Sequence, residues 1–210
     1  MRTANRVDPA RLLAPYRERA RFLRSFLAGP RRVGAVLPTS RRTARAMIEM
    51  AAPGHADLIV ELGAGTGPLT KEVVPRLGDG SRLLAFEIDP ALARVLDAEV
   101  TDPRVRIIAD TAANLEAHLA GQRPRAIFSA LPFTSLPAPV RTELLDTARR
   151  VLADDGVMIV LQYSPFVEGA LRSAFDSVER RISLLNVPPA FLFACRPGRL
   201  APALADGAQR

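Results

Sequence analysis

The sequence predicts an α/β protein, a mostly parallel seven-stranded sheet covered by helices on both faces. Three observations carry this. From Leu58 onward, short β-rich apolar runs alternate with segments of helical periodicity. The runs are apolar throughout, as in strands buried on both faces. After Val167 the pattern changes to two strands joined by a turn, an antiparallel hairpin for the edge of the sheet.

In chain order, residues 16–27 read YRERARFLRSFL. At helical spacing Tyr16, Ala20, Leu23 and Leu27 form an apolar stripe bordered by Phe22 and Phe26, with Arg17, Arg21 and Arg24 opposite and Arg19 intruding. Gly29-Pro30 stops this helix. Two readings fit it: a helix packed on the domain with solvated arginines, or an interfacial helix with its apolar side at the acyl boundary and its arginines at lipid phosphates. A short helix follows over Arg41–Met50, for which Ser40 is the N-cap. Strands are predicted at Leu58–Leu62, Leu83–Ile88, Val105–Ile108, Ala126–Leu131 and Val157–Leu161. Helices fall between them at Leu69–Leu77, Ala91–Val100, Ala112–Ala120 and Val140–Leu152. A helix near Val167–Phe175, a strand near Val178–Leu185, the turn Asn186–Pro189 and a strand at Phe191–Cys195 complete the pattern.

At 210 residues, 48% of them hydrophobic, the chain can bury one substantial core and is not disordered. No apolar run approaches the roughly 18–20 residues that span a bilayer, and no signal-peptide pattern opens the chain, so a cytoplasmic location is expected. The single cysteine, Cys195, cannot form an internal disulfide and suits a buried strand position. Positive charge is concentrated: residues 1–45 hold 12 arginines against Asp8 and Glu18, whereas the remainder holds 20 acids against 17 bases. Such a segment seeks phosphates, on nucleic acid or on an anionic lipid surface. No His, Cys or carboxylate spacing suggests a metal.

The chemistry lies at strand ends. In VELGAGTG (60–67), Gly63, Gly65 and Gly67 allow a tight strand-to-helix turn that approaches a ligand closely. Alone this loop is shared by many nucleotide binders, and a plain structural turn is the competing explanation. Glu87, ending the second strand in AFEIDP, can accept hydrogen bonds from both ribose hydroxyls of a nucleoside. Asp110, ending the third in IIADTA, can accept one from an adenine amino group, and Glu61 would orient the other end of the ligand. His55 and His118 are expected to lie away from this crevice.

From Gly34-Ala35 through the glycine motif, Glu-Ile-Asp, Ala-Asp and Ala-Leu-Pro-Phe, the layout resembles the ribosomal RNA adenine dimethyltransferases. The segments FLRSFLAGPRRVGAVLPTSRRTARAM, FSALPFTSLP, QYSP and NVPPAFLF resemble more closely the bacterial phospholipid N-methyltransferases that act on phosphatidylethanolamine. The resemblance spans about residues 20–197. It implies a Rossmann-like class I methyltransferase fold, S-adenosylmethionine as methyl donor, and a donor site of Gly34, Glu61, Gly63, Gly65, Gly67, Glu87, Ile88, Asp110, Thr111 and Ala130. It also implies a membrane-binding segment at residues 1–30 using Arg17, Arg21, Phe22, Arg24 and Phe26, a catalytic domain over 31–197 and a tail over 198–210. The expected partners are an anionic membrane surface and phosphatidylethanolamine or its methylated products, with no stable nucleic-acid partner and no metal.

Enzymes of this layout that methylate adenine carry Asn-Leu-Pro-Tyr where this chain has Ala130-Leu131-Pro132-Phe133. An adenine amino nitrogen is conjugated with its ring, and an Asn carbonyl helps to expose its lone pair. An alkyl amine has a localised lone pair and needs no such help; its obstacle is deprotonation, about 4–5 kcal/mol at neutral pH. Desolvation beside apolar walls supplies part of that. Tyr163 is a candidate to bind the amine or the lipid phosphate, or else caps the sheet; Phe133 either forms a cation–π wall or simply closes the pocket. Glu168 more simply starts a helix. An RNA N-methyltransferase and a membrane-binding protein of this fold without catalysis are the competing functions.

Overall fold

The structure is a computed structural model, and it describes residues 39–54, 56–183 and 189–198. Its strands are β1 (Leu58–Leu62), β2 (Arg82–Phe86), β3 (Val105–Ile108), β4 (Ala126–Ser129), β5 (Val157–Gln162), β6 (Ser177–Ser183) and β7 (Ala190–Arg196). They form one sheet in the order β3-β2-β1-β4-β5-β7-β6. The first five are parallel, while β7 runs antiparallel between β5 and β6. The expected hairpin is present, with β6 as the outermost strand.

Helices α1 (Arg41–Ala51), α2 (Thr70–Val73), α3 (Pro90–Glu99), α4 (Leu115–Leu119), α5 (Ala138–Val151) and α6 (Glu168–Ala174) cover both faces. Met47 and Ile48 of α1 pack with Ile59, Leu83, Phe128 and Ile159 on one face. Leu144, Leu145 and Leu171 of α5 and α6 pack with Val60, Phe86, Ile127 and Val160 on the other. All five residues of β1 are buried, which accounts for its apolar run and places Glu61 in the interior.

Local chemistry sets the helix ends. Ser40 caps α1 by accepting the Thr43 amide at 3.2 Å. Asp89 caps α3 by accepting the Ala91 amide at 2.7 Å, and Pro90 occupies the first helical position. The segment expected as one helix over 69–77 stops being α-helical at Val73, because Pro75 lacks an amide and tightens Val74–Arg76 into a 3₁₀ turn. The edge strand β6 carries Glu179, Arg180 and Arg181; Arg180 binds Glu168 of α6 at 2.7 Å and Arg181 binds Glu179 at 3.2 Å.

Candidate active site

Strand order reverses between β1 and β4, which in a parallel sheet opens a crevice outside the carboxyl ends of these strands. The glycine loop follows β1. Gly63 and Ala64 both donate amides to the Phe86 carbonyl at 2.9 Å, which fastens the loop to the end of β2. Gly67 has φ +81°, and a Cβ there would stand 2.3 Å from Leu96 of α3, so only glycine lets that helix close on the loop. Among the described residues no neighbour lies within 4 Å of a Cβ position at Gly65.

Three carboxyls stand at the ends of β1, β2 and β3. Glu61 is buried and accepts the Thr70 hydroxyl at 2.7 Å. Desolvation pushes its pKa up to about 7, the Thr70 hydrogen bonds oppose this, and the Glu87 charge adds to it. Glu87 is also buried, and its two oxygens accept the Gly65 amide at 2.7 Å and the Asp89 amide at 2.8 Å. Among the described residues neither carboxyl has an ion-pair partner. Asp110 accepts the Thr111 amide at 2.7 Å, the Asn114 side-chain amide at 2.9 and 3.0 Å, and His118 Nε2 at 2.8 Å.

His118 therefore belongs to the site's surroundings, contrary to the expectation that it lies away from them. The spacing Asp110, Asn114, His118 repeats every four residues, a helical-face pattern that was available in the sequence. Thr111 is buried, and its hydroxyl caps the 3₁₀ turn Ala112–Asn114 by accepting the Ala113 amide at 3.3 Å. Ile88 is partly buried against the core below Phe86.

On the opposite wall, the Ala130 amide donates to the Leu62 carbonyl at 3.0 Å, and Leu131 comes within 3.3 Å of where a Gly63 Cβ would stand. The Ala-Leu-Pro segment thus lies directly on the glycine loop. Gln162, which the sequence reading passed over, secures it: this buried side chain donates to the Leu131 carbonyl at 2.7 Å and to the Leu161 carbonyl at 2.6 Å. Phe133 is fully buried with Leu131, Leu136 and Leu144. Its ring is sequestered in the core. Tyr163 is partly buried against the α1-side core, and desolvation raises its pKa, so it remains a neutral phenol. Glu168 opens α6 and pairs with Arg172 and Arg180, each at 2.7 Å. Cys195 is buried in β7, and its pKa is pushed up to about 12 by desolvation, which makes it an inert core residue.

Gly34, Arg17, Arg21, Phe22, Arg24, Phe26 and His55 lie outside the described residues, as do residues 1–30 as a whole. Among the described residues no group of three or more His, Cys, Asp or Glu could hold a metal ion, and no helix is long and apolar enough to cross a membrane.

Comparison with known proteins agrees with this geometry. Residues 59–156 match the sequence model of a family described as "Methyltransferase domain". The chain is 28% identical over 184 residues to an ornithine lipid N-methyltransferase of Singulisphaera acidiphila, covering 83% of this chain and 94% of that protein. It is 30% identical over 142 residues to ribosomal RNA small subunit methyltransferase A of Nocardia farcinica, covering 65% of this chain and only 47% of that protein. Among solved structures, the N-methyltransferase NodS of Bradyrhizobium japonicum WM9, in complex with S-adenosyl-L-homocysteine, superposes with a TM-score of 0.64 at 13% identity, covering 76% of this chain and 88% of that one.

Proposed function

We propose that this S-adenosylmethionine-dependent methyltransferase acts on the primary amine of a membrane-lipid headgroup, with phosphatidylethanolamine as substrate. The residues of the crevice fit the donor. Glu61 and Glu87 are buried carboxyls at neighbouring strand ends with no ion-pair partner among the described residues, and a ligand carrying a sulfonium and an ammonium brings the compensating charge. A carboxylate offers about four acceptor directions. Glu87 uses two of them on backbone amides, which leaves two for a pair of ribose hydroxyls. Bound S-adenosylmethionine supplies an electrophilic methyl group on a positively charged sulfur.

Ala130 is the observation that carries the choice of acceptor. It directly follows β4 against the glycine loop and presents no side-chain amide carbonyl to a conjugated amino group. An alkyl amine meets apolar walls at Ala130 and Leu131; desolvation there lowers its pKa and favours the neutral nucleophile. Tyr163, a neutral phenol directly after β5, is a hydrogen-bond partner for the amine or the lipid phosphate. The arginine-rich residues 1–30 supply attraction to an anionic surface, about 1 kcal/mol per engaged basic residue. In this reading the protein is cytoplasmic and attaches to membranes reversibly. Ornithine lipid, named for one relative, is the second substrate to test, because its free amine has the same localised lone pair.

The test gives the full-length protein tritiated donor together with vesicles of phosphatidylethanolamine, vesicles of ornithine lipid, and ribosomal RNA. Label is expected in a lipid amine. Incorporation into RNA alone, or into neither lipid, refutes the proposal.

A further inference from the structure

Asp110 is held by more than its place at the end of β3. Its Oδ1 accepts the Thr111 amide and the Asn114 side-chain amide at 2.7 and 2.9 Å. Its Oδ2 accepts the same Asn114 amide at 3.0 Å and His118 Nε2 at 2.8 Å. An ionised carboxylate is acceptor-only, so His118 carries its proton on Nε2 in this contact. The imidazole is fixed in turn by Phe86 at the end of β2, edge to face, with ring centroids 5.3 Å apart and planes at 81°. Among the described residues Asn114 Oδ1 is buried and has no hydrogen-bond partner. An apolar side chain of similar size would avoid that loss. The fold bears it at the residue whose amide bridges both oxygens of Asp110.

We propose that Asn114 and His118 are positioning residues that lock the Asp110 carboxylate so that it accepts the exocyclic amino group of the donor's adenine and rejects a carbonyl in its place. This rests on the donor-site reading given above. A freely rotating aspartate presents either oxygen, or water, to whatever lies opposite it. Three donor groups already hold both oxygens through four hydrogen bonds, so a further donor reaches the carboxylate only where its side chain stays exposed, 28% of its surface. A ligand amino group can donate there. A purine carbonyl at the same position sets lone pair against lone pair and leaves the carboxylate unsatisfied, the condition under which sites discriminate strongly.

The test measures binding by calorimetry of two probes, S-adenosylhomocysteine and S-inosylhomocysteine, which differ at that purine substituent. The parent protein is expected to prefer the adenosyl probe on the order of 100-fold. His118→Ala and Asn114→Leu are each expected to cut that preference about 10-fold, while His118→Gln, which keeps an N–H donor, retains most of it. A residue that merely stabilises the fold would weaken both probes together and leave the ratio unchanged. Thermal melting identifies any variant that fails to fold, and His118→Gln then decides by its ratio. If Asp110→Ala collapses the preference but the His118 and Asn114 variants match the parent, the clamp is refuted and the donor site stands. If Asp110→Ala binds both probes as the parent does, the donor-site reading itself is wrong.

Discussion

Glu61 binds its proton more tightly in the folded protein than in the unfolded chain, because burial raises its pKa from 4.5 to about 7. The stability it contributes is complete below about pH 4.5 and is lost as the pH rises through about 7, a difference of about 3 kcal/mol. Glu61→Gln keeps an acceptor for the Thr70 hydroxyl and removes the charge. Donor-free Glu61→Gln protein is therefore expected to melt at nearly constant temperature between about pH 5 and pH 8, where the parent loses stability; parallel melting curves would contradict this. At this scale the acids were legible, since each directly ends an apolar run. The facing of side chains was not. Thr111 and Phe133 lie where the motif places them, but the 3₁₀ cap and the core claimed their side chains. His118 was missed because it follows Asp110 by eight residues and reaches it only across a 3₁₀ turn and the start of α4.

Elements were read more completely. β1 and β3 have the predicted bounds, because their apolar runs stop where polar loops begin. β2 ends two residues early, where Glu87 turns its carboxylate to the glycine loop and Asp89 starts α3. β4 ends at Ser129, before the Leu-Pro turn. The placement of β7 between β5 and β6 could not be read from periodicity, which records what one strand buries and not which strand it pairs with. The tie from β5 to the Ala-Leu-Pro segment through Gln162 is likewise a contact across sequence distance. It gives a prediction at this scale: Gln162→Leu leaves the Leu131 carbonyl without its buried donor and lowers stability by about 1–3 kcal/mol. In the proposed function this loop forms the acceptor wall, so the KM for the lipid amine is expected to rise several-fold while donor affinity changes less than two-fold. Steady-state kinetics, donor calorimetry and chemical denaturation together check this, and equal losses on both sides would count against it.

Across the whole molecule, positive charge is gathered in the first 45 residues and the rest is mildly acidic. In the proposed function this charge draws the N-terminal segment to an anionic surface. Replacing Arg17, Arg21 and Arg24 by Glu is expected to abolish sedimentation with anionic vesicles, and parent binding is expected to weaken as salt rises from about 0.05 to 0.5 M. Salt-independent binding by the parent, or full binding by the triple variant, would remove the electrostatic account. The outermost strand β6 bears on a different matter. Among the described residues no strand pairs with its outer side, and Glu179, Arg180 and Arg181 set charged groups along it beside the exposed Ile182. Charge at that margin disfavours edge-to-edge pairing with a second copy.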